Sequence, residues 1–428
     1  MTADTISLLG GRLIDPANGV DRVCDLHLAT GRVAAIGPPP RGFAPKRIID
    51  AAGRILCPGL IDLSARLREP GQEHKATIAS ETRAAARGGI TSLCFPPDTN
   101  PVNDTPAVTE LIRRKAKASA QCRVLPLGAL TQGLQGEQLS EMAALKKAGC
   151  IAMSDGQRPM PNTLVLRRAL EYSATFDLPV CLFAEDPWLR DQGCAHEGQV
   201  CARLGLPGIP EAAETVALAR SLALATHTGA RIHFHSLSSG ASALMLAQAR
   251  SQGLRVTADV AIHQLHLTEM DLEGFDSRCH VIPPLRTLGD REALRRAVAE
   301  GTIGAICSDH QPHEEDAKAA PFPSTAPGIS GLETLLPLTL KLVEEKVLSL
   351  SEAIARLTIG PARILGIPHG QLAVGAPADI AIFDPQACWI LEEGAMLSHG
   401  HNTPFLGWEL CGRVTHTLVG GRLVFQRP

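Results

Sequence analysis

The feature that most constrains this chain is an alternation repeated eight times. Short apolar runs at residues 59–63, 90–95, 123–127, 150–153, 179–183, 231–235, 254–260 and 303–307 are separated by longer, Ala- and Leu-rich stretches. Of these stretches, 76–87, 215–226 and 291–299 have helical spacing. Continuous apolar runs fit strands buried on both faces, and eight strand–helix alternations fit a closed parallel (β/α)8 TIM barrel. A doubly wound open sheet gives the same alternation. Its dinucleotide-binding version lacks support, because no Gly-x-Gly-x-x-Gly follows an early strand.

The two ends follow another rhythm. Short alternating segments broken by Gly, Pro and Asn occupy the first ~55 residues and return near 378–384 and 414–425, a pattern of strands and turns. Neither end alone can bury a core, so both are expected to build one small β-sandwich domain (1–55 plus 367–428) beside a barrel spanning 56–366. The fold class is therefore α/β.

Bulk properties narrow the partners. A net charge of −3 gives no reason to expect nucleic acid or an anionic membrane, and 3% aromatic residues leave few platforms for stacking bases. No apolar run approaches the ~20 residues that span a bilayer. The first residues, Met-Thr-Ala-Asp-Thr-Ile, show no basic segment followed by an apolar one, so no secretory signal is read there. Twelve cysteines occur singly, several inside apolar runs, without any Cys-x-x-Cys. Buried free thiols in a reduced cytoplasm are expected, rather than a disulfide framework or a zinc ribbon.

Chemistry concentrates at the run ends. Residues 58–71 read Pro-Gly-Leu-Ile-Asp-Leu-Ser-Ala-Arg-Leu-Arg-Glu-Pro-Gly. Further landmarks are Pro-Pro-Leu-Arg at 283–286, Ser-Asp-His-Gln-Pro-His at 308–313, Gly-Ile-Ser-Gly-Leu-Glu-Thr at 328–334, Pro-Ala-Arg-Ile-Leu-Gly at 361–366 and Asn-Thr-Pro-Phe at 402–405. In this order they resemble the dihydroorotases of the amidohydrolase superfamily over nearly the whole chain. The resemblance implies an amidohydrolase-type barrel whose relatives interconvert carbamoyl aspartate and dihydroorotate, with zinc supplying hydroxide and a strand-eight Asp moving the proton.

Taken station by station, the resemblance also implies loss. The family carries His-x-His where this chain has Ser64 and Arg66. A hydroxyl is a poor zinc ligand and a guanidinium repels the ion. Asp155 stands where a bridging carboxylate is kept, but a neighbouring acid is gone. Phe183 and Ser236 replace further histidine ligands. His235 lies one residue early, and strand alternation assigns it to the opposite face. Among groups that hold the substrate carboxylate, Arg68 persists, whereas Asp98 and Ile282 replace asparagines. Asp309 remains at the proton-shuttle position.

Magnitudes weigh the outcome. Zinc lowers the pKa of water from about 15.7 to about 7, on the order of 12 kcal/mol in hydroxide supply. A positioned base contributes roughly 10²–10⁴-fold. Asp309 alone does not replace the metal, so no catalytic residue, no cofactor and no zinc is expected. Arg66 is expected to pair with Asp309 or Asp155 in the vacated space. Residues 309–313 read as an inherited structural loop, and His263 as a packing or hydrogen-bonding residue. His196 with Cys194 and Cys201 has spacing unlike a zinc site.

Non-catalytic chains of this type assemble in several proteobacteria with aspartate transcarbamoylase. The resemblance thus implies a structural or regulatory subunit of such a complex in pyrimidine biosynthesis, a homodimer within a hetero-oligomer. Two alternatives stay open. One is an active cyclic amidohydrolase with a reorganised single-metal site drawn from Asp155, His235, Asp309 or His313. The other is a metabolite sensor that keeps the pocket.

Overall fold

The structure is a computed structural model describing residues 5–427. Met1–Asp4, part of the segment read for a secretory signal, lie outside the described residues.

Each of the eight apolar runs overlaps a parallel barrel strand. In order these are Leu60–Asp62, Ile90–Phe95, Arg123–Pro126 with its continuation Gly128–Ala129, Met153–Ser154, Val180–Phe183, Ile232–His235, Val256–Ala261 and Ala305–Cys307. Strands three (from Gly128) through eight pair in sequence, as do strands one through three. The ring closes where Ala65 bridges His310: the Arg66 amide donates to the His310 carbonyl (2.9 Å) and the His310 amide to the Ser64 carbonyl (3.1 Å). This closure sets the ends of strands one and eight, with residues 64, 66 and 309, against each other.

Two of the helices between strands start at capping boxes. Ile78–Arg87 opens on a Thr77/Ser80 capping box and Leu288–Ala299 on a Thr287/Asp290 box, each satisfying amides that the first turn leaves free. Ala212–Thr228 is longer than its expected span of 215–226.

The chain ends share one eight-stranded sheet. Its path runs Arg422–Gln426, Glu409–Val419, Ile380–Ile390, Ile55–Pro58, Ile6–Asp15, Val20–Ala29, Arg32–Ile36, with Arg47–Asp50 also on Ile6–Asp15. Ile55–Pro58 pairs antiparallel with Ile380–Ile390, so the chain leaves this sheet at Gly59, slightly beyond the expected boundary at 55. Gly420 and Gly421 (φ +54° and +70°) turn the last hairpin in the left-handed conformation that glycine takes without a Cβ clash. The hairpin is tied to the barrel by Thr417 Oγ1, which donates to the carbonyl of Ala86.

One cysteine expectation is corrected. Cys388 and Cys411 face each other across the antiparallel pair and form a disulfide, while the other ten cysteines are free. The two are 23 residues apart in sequence, and only the strand register brings them together.

Candidate functional site at the barrel mouth

A charge cluster replaces an open mouth. The Arg66 side chain, 6% exposed, donates from Nε to Asp98 Oδ2 (2.6 Å) and places Nη1 3.5 Å from Asp309 Oδ1. Asp309 sits at the end of strand eight with a left-handed backbone (φ +43°) and is 2% exposed. It accepts Ser64 Oγ (3.1 Å), Gln311 Nε2 (3.0 Å) and Gln157 Nε2 (3.3 Å). Burial pushes this carboxyl up, but His235 and Arg66 outweigh burial and hold it down at about 2. A carboxylate this well satisfied is a weak proton acceptor near neutral pH.

The second half of the cluster is Asp259, fully buried in strand seven. Its Oδ2 meets His233 Nε2 (3.0 Å) and His235 Nδ1 (3.0 Å), and its Oδ1 accepts the Ser236 amide (2.7 Å). Burial opposes the charge, but the two rings hold Asp259 far below the usual carboxylate range. For His235 burial favours the neutral ring, yet Asp259 and Asp309, 3.6 Å from Nε2, raise it to about 10. The two carboxylates thus favour its protonated form.

This overturns the assignment of His235 to the outer face. His233 and His235, two residues apart, share the inward face. Ser236 then leaves strand geometry at φ +53°, which aims its amide at Asp259 and its Oγ at His235 Nε2 (3.0 Å). The alternation that set Ser236 inward stops one residue before it.

The remaining positions have turned to other partners. Asp155 accepts the amides of Leu130 (2.8 Å) and Thr131 (3.0 Å) plus Thr131 Oγ1, so it fastens the strand-three loop and does not pair with Arg66. Arg68 donates to the Pro312 carbonyl (3.0 Å) and Gln72 Oε1 (3.3 Å) and lies 3.1 Å from His313 Nε2. Burial and the neighbouring Arg66 lower it to about 10. Phe183 packs with Ile209, Ala213 and Ile282. The Ile282 carbonyl accepts Gln157 Nε2 at 2.8 Å. His310 is structural: it bonds Glu81 (2.8 Å) and accepts the Gly331 amide. His263 is buried with neither ring nitrogen hydrogen-bonded, and burial lowers it to about 4. The cavity bounded by Ser64, Arg66, Cys94, His233 and His235 holds about 20 Å³, room on the order of one water.

Residues 53–242 match the family model described as dihydro-orotase-like, and residues 192–424 that of the amidohydrolase family. The chain is 54% identical to a "Dihydroorotase-like protein" of Pseudomonas putida over 98% of its own length and 99% of that relative's. It belongs to the dihydroorotase-like amidohydrolases. A protein of the same name from Pseudomonas aeruginosa is 53% identical over 99% of this chain and 100% of its own. A protein of Syntrophotalea carbinolica named "Dihydroorotase" is 45% identical over 98% and 99%. Among solved structures, the L-hydantoinase of Arthrobacter aurescens superposes with a TM-score of 0.89 at 23% identity, covering 100% of this chain and 96% of that one, a likeness of fold.

Within this dihydroorotase-like barrel the residues fit zinc poorly. At the end of strand one, Ser64 offers a hydroxyl and Arg66 a permanently charged guanidinium. Among the described residues His233, His235 and Asp259 form the one group whose ligand atoms lie within 4.8 Å of one another. Both rings already meet the same Asp259 oxygen, His233 Nδ1 meets Thr257 Oγ1 (3.0 Å), and the carboxylates around His235 favour its protonated form, which must lose a proton to ligate. Asp259, Gln157 and Gln311 escaped the sequence reading as site residues. Asp259 left one signal: a carboxylate inside the apolar run 254–260 needs a buried partner.

Proposed function

We propose that this dihydroorotase-like chain is a non-catalytic member of its family, acting in the cytoplasm as a structural or regulatory subunit of an aspartate transcarbamoylase complex in pyrimidine biosynthesis. A homodimer of the chain joins the transcarbamoylase catalytic chain. The observation that carries the reading is the Arg66–Asp98–Asp309 ion cluster, closed by the His235 ring, at the place where relatives hold their metal. Cationic side chains neutralise carboxylates there, and the space beside them is of water size. The barrel's landmark loops persist around it, which suits a scaffold. The "Dihydroorotase-like protein" names of the Pseudomonas relatives accord with this reading; the Syntrophotalea name "Dihydroorotase" accords with its rival.

Three measurements test it. Elemental analysis of the purified chain is expected to give far less than one zinc per chain, and dihydroorotate hydrolysis no turnover above background. Stoichiometric zinc with turnover establishes the rival reading, a reorganised single-metal hydrolase, to which the His233–His235–Asp259 group lends its support. Co-expression with the same organism's transcarbamoylase catalytic chain is expected to yield one co-eluting, active assembly. Separate elution of the two chains with full transcarbamoylase activity removes the subunit role.

A further inference from the structure

The opposite end of the barrel carries a basic cavity that the proposed function does not use. It encloses about 170 Å³ at the starts of strands five, six and seven, beneath the helix Ile359–Leu365. Arg231 precedes strand six, Arg255 precedes strand seven, and Arg363 comes from the helix; Thr257 and His233 complete the wall. Arg231 Nη1 lies 3.6 Å from Asp177 Oδ2 and its Nη2 donates to the Ile364 carbonyl (3.2 Å). Arg255 Nη2 reaches the other oxygen of the same Asp177 at 3.3 Å. The Arg363 side chain forms no hydrogen bond or ion pair among the described residues.

Three guanidinium groups therefore border one concave surface with a single exposed carboxylate, which Arg231 and Arg255 share and Arg363 does not reach. Residues at this face of a TIM-barrel-type fold ordinarily serve stability, yet clustered like charges work against it. An anion in the cavity reverses the sign of that effect, and guanidinium forks match the oxygens of phosphate. Size decides the class. Pockets for drug-sized ligands run to roughly 300–1,000 Å³, so this one suits a compact ion rather than a whole nucleotide. Elsewhere, Arg87, Arg413 and Arg427 converge beside Trp389 around only about 20 Å³, with Glu333 among them. The larger cleft of about 450 Å³ near Arg278 and Lys318 is offset by Glu314, Glu315 and Glu393.

We propose that the cavity formed by Arg231, Arg255 and Arg363 binds a small oxyanion of phosphate chemistry, either the free ion or the head of a phosphomonoester. Calorimetric titration of the full chain with inorganic phosphate and, separately, glycerol 3-phosphate, at constant ionic strength, tests it. One saturable site per chain is expected, with the tighter probe distinguishing ion from monoester. Arg255→Gln and Arg363→Gln alter exposed side chains and are expected to leave the melting temperature unchanged. Each is expected to weaken binding roughly tenfold or more, as removal of a charge-assisted hydrogen bond does. The absence of saturable binding for both probes, or binding that both variants leave intact, overturns the assignment.

Discussion

Replacing Arg66 by methionine is expected to destabilise the protein by about 3–5 kcal/mol, the usual consequence of removing one partner from a buried charge network. Arg66 and Asp309 are 6% and 2% exposed and Asp98 is 26% exposed. Without the guanidinium, Asp98 loses its 2.6 Å partner. Asp309 keeps His235 and its amide and hydroxyl donors but lies beside a second uncompensated acid. The cost is thus one of stranded charge rather than of a lost contact, and this makes a sharper test possible. Adding Asp98→Asn to Arg66→Met is expected to recover a large part of the loss, because a neutral amide tolerates the vacated space. Urea unfolding midpoints of the two variants and the parent measure both effects. A single variant within about 1 kcal/mol of the parent, the range of an exposed ion pair, rules out the buried network described for the mouth.

Stability is expected to fall as pH rises from neutral toward 10, with His235 as the principal cause. The unfolded imidazole loses its proton near 6.5, whereas the folded ring holds it to about 10. A raised folded value means that the stabilisation is complete below about 6.5, declines through the window between the two values, and is absent above about 10. The magnitude is on the order of 3–5 kcal/mol for a shift of this size. Asp259 acts in the opposite window: its folded value is depressed, so its contribution exists above the ordinary carboxylate range and disappears as acid is added. Guanidinium unfolding of parent and His235→Gln across neutral to alkaline pH measures the effect. The variant is expected to be less stable at neutral pH and nearly flat above it. Equal slopes in the two proteins sink this account of the cluster.

The barrel was legible because its strands are short apolar runs bounded by Gly, Pro or charge, a pattern that burial on two faces imposes. All eight runs overlapped their strands, the fourth only at Met153. That Ser64, Arg66, Phe183 and Ser236 offer no imidazole or carboxylate was legible for a simpler reason, since residue type alone fixes the donor atoms a side chain carries. What escaped depended on backbone direction and competition between partners. Ser236 leaves the strand with positive φ, and no periodicity rule foresees the residue at which alternation stops. The pairing of Arg66 with Asp309 was expected, but the choice between Asp155 and Asp98 turned on two backbone amides, those of Leu130 and Thr131, that had already engaged Asp155. The Cys388–Cys411 pair depended on the register of two irregular strands, which composition does not encode.

The shared sheet has a consequence for biosynthesis. Ile55–Pro58 emerges from the ribosome early, with Ile6–Asp15 available on one side, but its other neighbour is Ile380–Ile390, encoded beyond the entire barrel. The N-terminal strands must therefore wait through synthesis of the barrel with one edge unpaired, and exposed strand edges invite pairing with other chains. The strand that seals this edge is translated only after the barrel.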